Sequence, residues 1–178
     1  NEVARSGMLL PGFLAIARKT RLPLAIHEIG ASAGLNLLFD QFHYRYGASG
    51  WGDPASPVSL TPGISGDMPP LDGALAITSR DGCDLFPVDI RQPEARLRLQ
   101  AYVWADQELR LDRLRGALDL AQAQPVQVEQ ISAVDFVRRK LDERRDGEAF
   151  VLFHSIMWQY MPAGEQQDIT DLMEQAGS

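Results

Sequence analysis

The sequence predicts an α/β fold: a mostly parallel sheet with helices on both faces and one inserted hairpin. Three observations predict it. Leu24-Ala-Ile-His-Glu28-Ile is an apolar run, Gly30-Ala-Ser32-Ala-Gly34 is a small-residue turn, and an apolar segment of helical length follows. Strand, tight turn and helix start form a unit whose free N–H groups and small side chains can cradle a nucleotide-like ligand. Strand-like and helix-like segments then alternate as β-α-(insert)-β-α-α-β-α-β-α, the order that builds a parallel sheet covered on both sides. Finally, 178 residues with 45% hydrophobic content are one domain's worth of chain with a sizeable core.

Each element has its own signal. Residues 1–19 carry Met8, Leu9, Leu10, Phe13, Leu14 and Ile16, but Gly7, Pro11 and Gly12 interrupt them, which predicts two short helical pieces. Pro23 opens the strand Leu24–Ile29, and Ala33–Gln41 is expected to be the helix after the turn. Phe42–Tyr46 alternates like a strand and Val58–Leu60 reads as its return. Residues 42–73 are therefore expected to be an inserted hairpin with a Gly/Pro-rich loop, Thr61–Gly73. Ala74–Thr78 reads as the second strand of the sheet, resuming near Cys83.

Pro93 and Glu94 suit a helix start, and the helical pattern runs to about Gln122, divided by Asp106 acting as a cap. Val126–Ile131 is the third strand. Ser132-Ala-Val-Asp135 opens a helix to about Arg145, Phe150–His154 is the fourth strand, and Ile169–Gln175 is the last helix. The chain is read as a single Rossmann-like domain over 1–178. Its short sheet predicts either the front part of a longer domain or a reduced fold.

Composition narrows the function. A net charge of -7 argues against a nucleic-acid backbone as partner. No apolar stretch reaches the roughly 18–20 residues of a membrane span, so no membrane partner is expected. Cys83 is the single cysteine, which fits a cytoplasmic location, and neither it nor the three histidines has metal-ligand spacing. The expected partner is a small-molecule substrate, and the oligomeric state is left open.

The run Glu28-Ile-Gly30-Ala-Ser32-Ala-Gly34 resembles motif I of the class I S-adenosylmethionine-dependent methyltransferases, Glu/Asp-x-Gly-x-Gly-x-Gly, with Ser32 at the middle glycine. The longer run to Leu37 is more similar still to a bacterial family of uncharacterised proteins. Asn1–Ser6, Gly82–Asp89, Val103–Gln107 and Phe153–Tyr160 match that family too.

The methyltransferase resemblance implies S-adenosylmethionine as cofactor. Gly30 and Gly34 would flank its methionine moiety, with Glu28 ordering the loop and Ser32 adding a hydroxyl. Asp84 would hold the ribose hydroxyls, although it stands fifty residues after Gly34 where about 20 is usual. Ser132 would sit against adenine, and it equally fits a helix N-cap with Asp135. His154, at the end of the fourth strand, would be the catalytic base, with Trp158 and Tyr160 as walls. Glu28, Asp84 and His154 each end a parallel strand, so they are expected to share one cleft.

Two other readings stay open. The chain could be a Rossmann-like domain that has lost its cofactor, with Gly30–Gly34 a plain tight turn. Gly30-x-Ser32-x-Gly34 also spells a hydrolase nucleophile elbow with His154 as the only late histidine, although only 31 residues precede Ser32. The arginines and Lys140 of 138–145 alternate with acids and read as a solvated helix face.

Overall fold

The computed structural model describes residues 2–177. In chain order its elements are α1 (Ser6–Thr20), β1 (Leu24–Ile29), β2 (His43–Tyr46), β3 (Ser49–Trp51), β4 (Ser59–Leu60), β5 (Ile77–Asp84), α2 (Pro93–Ala101), α3 (Glu108–Ala123), β6 (Gln127–Gln130), α4 (Ala133–Asp142), β7 (Ala149–Phe153) and α5 (Ala163–Gly177). Short 3-10 turns stand at Val3–Arg5, Leu35–Gln41 and Met157–Tyr160.

Four strands form one parallel sheet in the order β6-β5-β1-β7. The chain steps from β1 through β5 to β6, then returns to the other side of β1 as β7. A reversal of this kind opens a crevice at the strands' C-terminal ends. Glu28 aligns with Gly82 and Phe153, and Asp84 with Gln130, so the strands finish on one rim.

Both faces are covered. Leu24 and Ile26 join Leu10, Phe13, Leu14, Leu37, Phe39, Leu114 and Leu118 in the larger core. Ile29 and Cys83 face the other way, into a smaller core with Phe136, Val137, Leu141 and Ile169. Alternation along β1 decides which face each residue meets.

Several elements differ from the sequence reading, each for a physical reason. Residues 6–20 form one helix, not two pieces, although Pro11 lies inside it. Proline has no N–H for the carbonyl four residues back. Here that carbonyl belongs to Gly7, and the Tyr46 hydroxyl donates to it at 2.6 Å. The expected helix after the first turn is a 3-10 segment, Leu35–Gln41, kinked at Leu38.

In the insert, β2 turns back antiparallel onto β3, while β4 runs parallel to β2, so Val58–Leu60 is not the hairpin's return strand. β5 continues unbroken from Ile77 to Asp84. Its polar middle is neutralised on both faces. Arg80 makes a two-toothed pair with Asp40 at 2.6 and 3.1 Å, and Asp81 meets Lys140 at 3.4 Å. Lys140 is thus not on a solvated face.

The break between α2 and α3 is where the sequence places it, but Gln107 rather than Asp106 stands at the start of α3. α4 stops at Asp142, before Arg145. α5 starts at Ala163 and is longer than Ile169–Gln175.

Candidate functional site

The loop after β1 is bent by three residues with left-handed backbone: Gly30 (φ 68), Ser32 (φ 53) and Gly34 (φ 70). It is stitched to the end of β5. Ala31 N donates to Cys83 O at 2.9 Å and Val88 N to Ser32 O at 3.0 Å. Asp84 clamps both segments: its Oδ2 accepts from Ser32 N and its Oδ1 from Phe86 N, each at 2.9 Å. Bonds to a carboxylate are about twice as strong as neutral ones. The motif-like loop therefore owes its shape to the acid fifty residues later.

A cavity of about 420 Å³ opens on the rim above β1, β5 and β6. Gly30, Asp84 and Ser132 line it together with Phe86, Met157 and Tyr160. Phe86 and Tyr160 are 80% and 74% exposed, so two aromatic rings stand at its walls in contact with solvent. Ser132 caps α4: its Oγ accepts from Asp135 N at 3.1 Å and donates to Asp135 Oδ2 at 2.7 Å. The capping role is present, and the same residue lines the cavity.

The remaining predicted residues lie elsewhere on the rim. Glu28 points into the larger core and is 1% exposed. Asn36 hydrogen-bonds its carboxyl, and the Ser6 hydroxyl donates to Asn36 Oδ1 at 2.9 Å. The second carboxyl oxygen, Oε2, is buried with no partner among the described residues. Burial pushes the Glu28 pKa up to about 8, and the nearby Asp84 charge adds to the rise, against the pull of Asn36 and Arg5. At neutral pH Glu28 is mostly an uncharged acid.

Gly34 packs beneath the loop, where a Cβ would stand 2.6 Å from Val126 Cγ2. Above Gly30 a Cβ would run into Met157 Cβ and Cγ. Met157 therefore occupies the space over the first glycine of the motif.

His154 opens onto a separate groove of about 400 Å³, walled by Ile29, Leu152, Trp158, Ile169 and Met173. Its ring stacks on Trp158, 5.4 Å between centroids and 15° between planes. Partial burial lowers its pKa, which favours the neutral ring. Glu28, Asp84 and His154 thus share a rim but not a cleft: one is sealed in the core, one lines the cavity, one lines the neighbouring groove. Successive residues sort them, because Ile29 faces the groove and Gly30 the cavity, as Trp158 and Met157 do.

A larger cavity, about 1010 Å³, involves the other half of the sheet, between β1, β5, β7 and the segment after α4. At its floor Lys140 meets Asp81 at 3.4 Å and Glu143 at 3.1 Å. It lies away from the C-terminal strand ends, where parallel sheets hold their ligands, and the rim remains the candidate site.

Sequence reasoning did not single out Met157, Phe86 or the Ser6–Asn36–Glu28 chain. Signals for them existed in the matching segments: Ser6, Phe86 and Met157 fall within Asn1–Ser6, Gly82–Asp89 and Phe153–Tyr160.

Comparison with protein families matches residues 1–178 to the family described as "Uncharacterized protein conserved in bacteria (DUF2332)", and the chain belongs to it. No curated protein and no solved structure matches. Among the described residues no helix is long and apolar enough to cross a membrane.

Proposed function

We propose, taking membership of that bacterial family as the premise, that the chain binds S-adenosylmethionine and serves a methyl transfer to a small molecule. One observation carries the reading. Gly30, Asp84 and Ser132 come from three separate strand ends, the motif resemblance implies one ligand for all three, and they line one cavity. The cavity's chemistry fits a nucleoside. The Asp84 carboxylate keeps lone pairs beyond the two that brace the loop, and these can accept from ribose hydroxyls. Phe86, Ile131 and Met161 give flat and apolar walls for a base.

When bound, the cofactor would supply an electrophilic methyl group. The chain's own residues do the rest. Asp84 holds the sugar and the loop at once. Glu28, uncharged, supports the loop from behind through Asn36 without adding a buried charge. Met157 must swing from above Gly30 to admit the methionine end, and an unbranched thioether side chain does so readily. His154 stands in the adjacent groove with a neutral ring able to accept a proton from the substrate.

The non-catalytic alternative draws on Met157, which fills the space over Gly30. The hydrolase alternative draws on Ser32, whose φ of 53 suits an elbow, although Ser32 is not among the residues that line the His154 groove. Titration calorimetry with S-adenosylmethionine and S-adenosylhomocysteine separates them. The proposal expects saturable binding of both, weakened at least tenfold in Asp84→Ala. Absence of heat with both ligands would leave the non-catalytic domain. Labelling of Ser32 by a fluorophosphonate, lost in Ser32→Ala, would carry the hydrolase.

A further inference from the structure

The groove beside His154 has a lining that selects a kind of molecule. Ile29, Leu152, Ile169 and Met173 make its walls apolar, and the His154–Trp158 stack gives it a flat aromatic side. Its polar side chains are His154, Thr170 and Glu174. Among the described residues no Lys or Arg lines it, so a carboxylate or phosphate would enter without a counter-charge and beside the Glu174 carboxylate. A thioether next to aromatic rings favours a further ring by polarisable contact. Aromatic pairs gain from offset or edge-on packing beyond the area they bury. A volume of about 400 Å³ has room for a molecule of one or two fused rings.

We propose that this groove binds an uncharged, flat aromatic alcohol. The ring packs against the His154–Trp158 stack and Met173, and the hydroxyl donates to a ring nitrogen of His154. That the bound molecule is the methyl acceptor rests on the cofactor reading above; that the groove binds it does not. The location fits an acceptor, because the groove and the nucleoside cavity stand on either side of two consecutive pairs, Ile29–Gly30 and Met157–Trp158. Met157 is then the partition between the two ligands.

The chain's five methionines allow a test on the unaltered protein. With methyl-labelled methionine, the resonances of Met8, Met68, Met157, Met161 and Met173 report five places. β-Naphthol is expected to shift Met173 saturably, by ring current, and to bind at least fivefold tighter than its saturated analogue decahydronaphthol and tenfold tighter than β-naphthoate. In His154→Phe, which keeps a flat ring beside Trp158 but has no acceptor nitrogen, the affinity for β-naphthol should fall at least threefold while that for naphthalene changes by less than twofold. S-adenosylhomocysteine is expected to move Met157 and Met161 instead. If S-adenosylhomocysteine moves neither while β-naphthol moves Met173, the cofactor reading fails and the groove stands. If β-naphthol leaves Met173 unmoved, or naphthoate binds as well as naphthol, the groove proposal is overturned whatever the cofactor does.

Discussion

His27 and Glu28 are neighbours on β1 and meet opposite faces of the sheet. His27 lies on the α4 side, 4% exposed, its ring 4.5 Å from that of Phe150 and 6.2 Å from that of Phe136. Glu28 lies on the α1 side, 1% exposed, beside Asn36. Burial disfavours the charged form of both, so it moves their pKa values in opposite directions. His27 falls from 6.5 to about 4, despite the pull of Asp81, and Glu28 rises from 4.5 to about 8. At pH 7 Glu28 keeps the proton it would lose in water, and His27 stays neutral down to a pH at which it would be charged in water. The charges of β5 are paired on both faces, Arg80 with Asp40 and Asp81 with Lys140, and Asp84 stands beyond them on the rim.

The pair gives opposite pH slopes, and substitutions can separate them. Glu28 keeps its proton when folded but loses it above about 4.5 when unfolded. The native state therefore binds more protons, and stability falls as pH rises through about 8. Glu28→Gln should remove this slope and raise unfolding free energy near pH 8 by on the order of 3 kcal/mol, read by urea denaturation across pH 5–9. An unchanged slope would mean that Glu28 is ionised in the fold.

His27 has the reverse sign. Its stability contribution is complete above about 6.5 and is lost as pH falls through about 4. His27→Phe should flatten the acid limb and gain roughly 1–3 kcal/mol near pH 4 relative to the wild type's own loss. Thermal melts at pH 4 and pH 7 check it. Equal shifts at both values would show a packing effect and no titration.

Asp84 sharpens the contrast, since it is the partly exposed acid of the rim. Asp84→Asn weakens the charge-assisted bonds to Ser32 N and Phe86 N. It should cost about 1–2 kcal/mol near pH 7. Amide exchange should rise at Ser32 and Phe86 and stay fixed in β1. Exchange rising equally through β1 would remove Asp84's local role.

Tyr46→Phe is the smallest case. It strips the hydroxyl that serves the Gly7 carbonyl opposite Pro11. The expected cost is about 1 kcal/mol, with faster exchange confined to the first turns of α1. No change in either would show that the helix accommodates Pro11 unaided.

The same residues explain what the sequence made legible. β1 was readable because its apolar run is continuous, and the parallel sheet followed from alternation along the chain. The middle of β5 was not readable, because Ser79, Arg80 and Asp81 look like a turn until their partners Asp40 and Lys140 are known. The continuity of α1 depended on a hydroxyl 39 residues away. Gly34 looked like a ligand-facing glycine, but its close neighbours are Val126 and Val128. Of the candidate site, strand ends were predictable from pattern, whereas the division into a sealed acid, a cavity and a groove depended on which face each side chain takes.

The central claim is that a nucleoside-bearing cofactor occupies the cavity of Gly30, Asp84 and Ser132. Photolabelling with an azido-adenine analogue of S-adenosylmethionine, followed by peptide mapping, tests it most directly. The account predicts labelling within residues 83–88 or 130–133, competed away by S-adenosylhomocysteine. Labelling confined to the segment 142–148, or none that S-adenosylhomocysteine can compete, would contradict it.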